Sequence, residues 1–177
     1  SRTASDTGHT NGSFVTFDET FDAMYEPLAR YCYRLGGDRD VAEDIAQEAM
    51  VRFFERGIEG SEAGVRSWLF KTATHLVRDR YRVEENRKRL LQETPVTPLP
   101  PSTPEQSLEV NETRALARSA LNVLPERDKE MLLLRYSGFS YREIADVLDV
   151  AATSVGTLLS RAEQKFSKAL ETTGGAQ

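Results

Sequence analysis

The stretch SYREIADVLDVAATSVGTLLSRA, residues 140–162, carries the pattern that decides the fold. Ser140 and Glu143 stand three residues apart, the spacing of a capping box in which each side chain bonds the other's backbone amide. Ile144, Ala145 and Leu148 then recur at helical spacing. A tight break is expected near Asp149–Ala152, followed by a second helix. Two short helices joined this way make a helix-turn-helix. Ile144, Ala145, Leu148, Val150, Val155 and Leu159 can meet between the two helices. Thr153, Ser154, Gly156, Thr157, Ser160 and Arg161 are then left on the outward side of the second. These short side chains permit close approach to a groove, and their hydroxyls can bond phosphates or base edges. Arg142 on the first helix and Lys165 and Lys168 beyond the second add positive charge. On these residues alone, an ordinary helical hairpin with a solvated polar face stays equally open.

Working outward, Pro125 opens a helix with Met131, Leu132 and Leu134, and Gly138 breaks it. Before it, Leu116, Ala120 and Val123 form another apolar face, with Thr103, Pro104 and Gln106 reading as its cap, first-turn proline and capping partner. The last helix carries Val155, Leu158, Leu159, Ala162 and Phe166 and frays at Gly174-Gly175. The unit therefore spans 105–171, with a short tail at 172–177. Upstream, residues 93–104 hold five of the chain's seven prolines. Proline lacks an amide hydrogen and stiffens the chain in an extended form, so this stretch reads as a linker able to hold two domains about 35 Å apart.

On the other side of the linker a second helical unit spans 14–92, after a small, polar tail at 1–13 that reads as disordered. Thr16 and Glu19 form another capping box, ahead of a stripe of Phe17, Phe21, Met24, Tyr25, Leu28, Tyr31, Cys32 and Leu35 that Gly36-Gly37 ends. Asp38 caps a helix with Val41, Ile45, Ala49 and Phe53, which runs to Gly57. A third pattern begins at Val65 with Trp68, Leu69, Ala73, Leu76 and Val77. Nothing alternates with period two for long, so the expected class is all-α: a three- to four-helix bundle, a proline-rich linker and a helix-turn-helix domain.

Composition limits the function. The chain has 177 residues, with 23 Lys and Arg against 28 Asp and Glu and a net charge of −5. That is not the balance of a protein that coats nucleic acid by bulk charge, so any such affinity must be local. No apolar run approaches membrane-spanning length and no charged-then-apolar leader opens the sequence, so no membrane insertion and a cytoplasmic location are expected. Cys32, the single cysteine, cannot form an internal disulfide and sits in an apolar pattern that predicts a buried thiol.

Two charged stretches supply local affinity. Residues 38–48 hold five acids (Asp38, Asp40, Glu43, Asp44 and Glu48) against Arg39. Residues 71–89 hold seven bases (Lys71, Arg78, Arg80, Arg82, Arg87, Lys88 and Arg89) against three acids, and Trp68, Phe70 and Tyr81 lie among or just before them. Bases release counterions from a nucleic-acid backbone and aromatic faces stack on unpaired bases, a combination suited to holding a melted strand. A solvated helix face is the plainer alternative, and Trp68 taken alone reads as core. His75 reads as a polar contact, since no histidine pair has metal-ligand spacing. The acids invite a magnesium nuclease, but they come from one helix with no second carboxylate cluster, and no nucleophile–base set is apparent. A docking surface for a basic partner accounts for them better. No catalytic residue, metal or cofactor is expected.

Taken together, three stretches resemble the extracytoplasmic-function (ECF) class of the sigma-70 family of bacterial transcription initiation factors, over roughly residues 14–171. DRDVAEDIAQEAMVRFF (38–54) is similar to the family's segment that docks on the coiled coil of the RNA polymerase β′ subunit. VRSWLFKTATHLVRDRYR (65–82) resembles the segment that melts the promoter and reads the −10 element. LPERDKEMLLLRYSGFSYREIADVLDVAATSVGTLLSRAEQKF (124–166) resembles the −35-binding domain. The resemblance implies polymerase contacts at Asp40, Asp44, Gln47, Glu48 and Arg52, with Phe53 and Phe54 partly in the core. It implies −10 contacts at Trp68, Lys71, His75, Arg78, Arg80 and Arg82, and capture of a flipped base by the loop 57–64. Contacts with the −35 element fall on Arg142, Thr153, Ser154, Thr157, Arg161 and Lys165. The family often has asparagine where His75 stands and basic residues where Gly156 and Leu158 stand. Implied partners are core polymerase (β′ coiled coil and β flap), promoter DNA as duplex and single strand, and an anti-sigma factor. The rival from another class is a free-standing helix-turn-helix regulator that never touches polymerase.

Overall fold

The computed structural model describes residues 16–91 and 108–174, and every regular element among them is helical. The helices are α1 (Phe17–Gly36), α2 (Arg39–Arg56), α3 (Glu62–Leu91), α4 (Leu108–Asn122), α5 (Glu126–Tyr136), α6 (Tyr141–Leu148) and α7 (Ala152–Gly174). The tail at 1–13, the linker at 93–104 and the cap expected from Thr103, Pro104 and Gln106 lie outside the described residues. Helix α7 continues three residues past the 171 boundary.

Local chemistry explains the helix ends. The Thr16 hydroxyl accepts from the Glu19 amide, and the Glu19 carboxylate accepts from the Thr16 amide. Gly37 closes α1 at φ 80°, a left-handed conformation that side chains resist, and Asp38 at once caps α2 through the Val41 amide. Pro27 lies inside α1. Its ring removes one backbone donor there, but the helix runs on because its apolar face is buried.

Helix α3 starts earlier than the apolar pattern suggests. The Ser61 hydroxyl accepts from the Gly64 amide and the Ser61 carbonyl from Val65, so Gly64 is already helical. The loop expected at 57–64 is therefore confined to residues 57–61. Phe54 also departs from expectation. It is 67% exposed and meets the Phe17 ring edge-on, whereas Phe53 is buried.

The first three helices pack around Leu28, Tyr31, Cys32, Ile45, Ala49, Met50, Phe53, Leu69 and Ala73. Inside, the Thr74 hydroxyl donates to the Phe70 carbonyl and accepts from the Tyr31 hydroxyl at 2.8 Å. Burial pushes the Cys32 thiol up to about 12. The last four helices pack around Met131, Leu134, Phe139, Ile144, Leu148, Val155, Leu159 and Ala162. Ser140 and Glu143 complete the second capping box, and α6 ends at Asp149, which takes the left-handed conformation at φ 55°.

The two groups of helices are not held apart. Their cores form one cluster, joined where the Phe70 and Phe139 rings meet at 4.8 Å, both essentially fully buried. Lys129 of α5, itself buried, donates to the Leu35 carbonyl at the end of α1 at 2.8 Å and to Asn122. That satisfies a carbonyl the helix end leaves without a partner. A linker long enough for separation is compatible with contact; buried aromatic surface and the lysine cap favour contact.

Candidate functional site

Three surfaces come from these helices. The first is the outer side of α2. Asp40, Asp44, Gln47 and Glu48 are exposed, because Ala42, Ile45, Ala46 and Ala49 take the inward side of the same turns. Arg52 is partly buried and donates to Glu48 at 2.7 Å, one turn away. The Gln47 amide reaches the Tyr25 hydroxyl at 3.5 Å. An exposed pair of this kind is worth only about 0–1 kcal/mol, so the face is held in shape by the helix beneath it and stays available.

The second surface is the basic side of α3, and here the structure departs from a simple solvated stripe. Arg78 makes a two-pronged contact with Glu130 of α5, its Nη2 at 2.8 Å from one oxygen and its Nε at 2.9 Å from the other. The Glu130 side chain is 1% exposed. Bonding to Glu130 holds the Arg78 guanidinium above its ordinary value. Lys71 pairs with Asp149 at 2.8 Å, and His75 Nε2 lies 3.9 Å from the other oxygen of that carboxylate. Arg66 donates to Glu143 at 2.8 Å and lies over the Phe139 ring, 4.2 Å from its centre.

The cations depress two of these carboxyls. The bond from Lys71 holds Asp149 below its ordinary value. Burial opposes ionisation of Glu143, but bonds from Arg66 and Ser140 outweigh it and its carboxyl also lies low. Trp68 is half-buried, packed near Phe53 at 6.3 Å, and lines a cleft with Ser67, Lys71, Ala145, Asp146, Asp149 and Val150. Arg80 and Arg82 are exposed.

The third surface is the outward side of α7. Thr153, Thr157, Ser160 and Arg161 are exposed and Ser154 is half-buried, while Val155, Leu159 and Ala162 face the core. Arg142 on α6 is exposed, but Lys165 is held by Asp128 of α5 at 2.8 Å. A Cβ on Gly156 would stand 3.6 Å from the Tyr141 ring, ordinary contact, so the missing side chain there is not forced by space.

The structure thus brings Asp40, Asp44, Gln47, Glu48 and Arg52 onto one face, and Trp68, Lys71, His75 and Arg78 onto another that α5 and α6 partly cover. Sequence reasoning missed the covering groups: Glu130, Glu143, Asp149 and Phe139. Glu130 leaves no trace of this, since it closes a run of five charged residues, Glu126–Glu130, just ahead of the apolar row Met131–Leu134. Only the fold shows that this carboxylate is buried and met by a cation. Among the described residues, no group of three His, Cys, Asp or Glu is placed to hold a metal ion, and no helix is long and apolar enough to cross a membrane.

The family described as Sigma-70 region 2 matches residues 20–87, and Sigma-70, region 4 matches residues 114–166. The chain is 30% identical over 167 residues to the RNA polymerase sigma-E factor of Streptomyces avermitilis, covering 91% of this chain and 88% of that one. It is 27% identical over 174 residues to the ECF RNA polymerase sigma factor SigW of Bacillus subtilis, covering 90% and 91%. In fold it is similar to the sigma factor RpoE of Bartonella quintana, solved with the anti-sigma factor NepR, at a TM-score of 0.67 with 22% identity over 88% of this chain and 96% of that one. A second similar fold is CnrH, solved with the cytosolic domain of CnrY, at a TM-score of 0.61 with 19% identity over 88% of each chain.

Proposed function

The chain belongs to the ECF class of the sigma-70 family, and from that premise we propose how its three surfaces divide the work of a promoter-recognition subunit. The factor binds core RNA polymerase, recognises the −35 and −10 elements and promotes DNA melting. Asp40, Asp44, Gln47, Glu48 and Arg52 grip the β′ coiled coil, where complementary charge sets orientation and speeds encounter. Thr153, Ser154, Thr157 and Arg161 meet the −35 duplex, with Arg142 and Lys165 on its phosphates. Trp68, Lys71, His75, Arg78, Arg80 and Arg82 hold the opened −10 strand.

The 14–92 unit therefore docks and melts, the 105–171 unit reads duplex and touches the β flap, and the 93–104 linker lets them reach both elements. Polymerase performs the chemistry, so the chain is not itself an enzyme. It acts in the cytoplasm and is held in check by an anti-sigma factor.

The observation that carries this reading is an exposed acidic α2 standing beside a basic, tryptophan-bearing α3 on one small helical unit. A free-standing helix-turn-helix regulator leaves that acidic face without a role. The test is run-off transcription with purified core polymerase on promoters from the same genome. Asp44→Ala or Gln47→Ala removes an exposed contact without touching the core, and the expected outcome is loss of initiation. Variants that initiate normally contradict the docking assignment.

A further inference from the structure

We propose that the junction of α1 and α4 is a binding site for a compact chain of linked phosphates, held by Arg30, Arg34 and Arg118 with Arg39 beside them. The site lies apart from the three surfaces described above and does not depend on the roles proposed for them.

The sequence sets two pairs of arginines one helical turn apart, Arg30 with Arg34 on α1 and Arg114 with Arg118 on α4. The fold brings the pairs together. The Arg118 guanidinium reaches from α4 to lie 5.6 Å from the centre of the Tyr33 ring on α1, and that of Arg39, at the start of α2, lies 5.8 Å from the same centre. Burial, then the charges of Arg30, Arg114 and Arg118, hold the Arg34 guanidinium below its ordinary value. Next to them the buried Lys129 donates to the Leu35 carbonyl of α1 and to Asn122 of α4, which ties the two helices at the edge of the site.

Elsewhere in this protein cations are matched. Arg52, Arg66, Lys71, Arg78, Arg87 and Lys165 each pair with a carboxylate. Among the described residues, no carboxylate stands within ion-pair distance of Arg30, Arg34, Arg39 or Arg118. Like charges one turn apart repel, and a guanidinium fork matches the oxygens of a phosphate. A multiply charged phosphate group between the helices removes the repulsion and supplies the missing acceptors.

Size and charge limit the ligand. Each arginine pair spans about 6 Å of helix. Exposed carboxylates bound the patch: Glu26 one turn before Arg30, Asp40 next to Arg39, and Glu126 near Lys129 at the start of α5. A nucleic-acid strand laid across the patch runs onto these acids, whereas a short oligophosphate fits among the arginines. The Tyr33 ring is taken up by two guanidiniums, so it positions arginines and does not stack on a base. The recognised group is therefore the phosphate chain itself, either free or as the tail of a nucleotide.

The test is calorimetry on the full chain with sodium tripolyphosphate, without magnesium and at matched ionic strength, alongside ATP and a mixed-sequence DNA single strand. The wild-type chain is expected to bind tripolyphosphate and to melt at a higher temperature in its presence. Arg34→Gln with Arg118→Gln is expected to weaken that binding about ten-fold or more. Because it removes repulsion, the same variant should melt no lower than wild type without ligand. Arg87→Gln with Arg89→Gln takes the same charge from the exposed end of α3 and should bind tripolyphosphate as wild type does. Where the first double variant folds poorly, Arg30→Gln, which is exposed and makes no ring contact, carries the same expectation. ATP bound more tightly than tripolyphosphate identifies a nucleotide tail, and ATP bound equally or more weakly identifies a free phosphate chain. The proposal is overturned by a wild-type chain that does not bind tripolyphosphate or by an equal loss in the Arg87 and Arg89 variant. Single-stranded DNA taken by these arginines in preference to tripolyphosphate overturns it as well.

Discussion

Helices α2 and α3 lie side by side in one unit and carry opposite charge, yet the fold treats their charged faces differently. The acids of α2 stand in water, with only the neighbouring-turn pair of Glu48 and Arg52 among them. Arg66, Lys71 and Arg78 of α3 are drawn against α5 and α6, where one of their partners is among the largest fully buried side chains. Opposite charge on adjacent helices thus does not make them partners of each other. Each face is free or engaged according to what the rest of the chain places over it. An exposed carboxylate needs no partner, while a buried one such as Glu130 is held by Arg78, and losing one member of such a pair costs about 3–5 kcal/mol.

The contrast breaks most sharply at the aromatic contact between the two groups of helices. Phe139→Ala removes a fully buried ring against Phe70 and beneath Arg66, and a loss of about 3–5 kcal/mol in unfolding free energy is expected by chemical denaturation. Polymerase affinity through α2 is expected to survive in the folded fraction. A Phe139→Ala chain as stable as wild type would show that the buried contact does not hold α3 covered.

A smaller effect follows at Asp149, whose pair with Lys71 is largely solvent-exposed. Asparagine tolerates the left-handed conformation there, so Asp149→Asn isolates the charge, and a loss within about 1 kcal/mol is expected. Because Lys71 holds the Asp149 carboxyl low in the folded chain, the pair stabilises above the ordinary value of 3.8 and is lost as pH falls through the depressed one. The stability difference between wild type and Asp149→Asn should therefore shrink on acidification below that value. A difference independent of pH would mean that the aspartate acts as a helix end and not as a charge.

Much of this was legible in the residues. Capping boxes at Thr16 and Ser140, the glycines that end α1 and α2, and apolar recurrence at threes and fours are local signals, and local physics decides helix ends. The acidic and basic faces were legible for the same reason, since each lies within one helix. What the sequence did not show is whatever depends on two distant segments meeting. Lys129 bonding the Leu35 carbonyl, Arg78 bonding Glu130 and the joined rings of Phe70 and Phe139 have no local signature. The start of α3 was missed because Ser61 caps it before the apolar pattern begins, and Phe54 because a position at the end of a helical stripe can turn to solvent without breaking the period.

The most direct measurement of the central claim is the binding of the full chain to purified core polymerase. Asp44 and Gln47 stand exposed on α2, so the wild-type chain should co-elute with core polymerase at low salt, while Asp44→Ala and Gln47→Ala should not. Variants that co-elute as the wild-type chain does would contradict an acidic α2 face that docks.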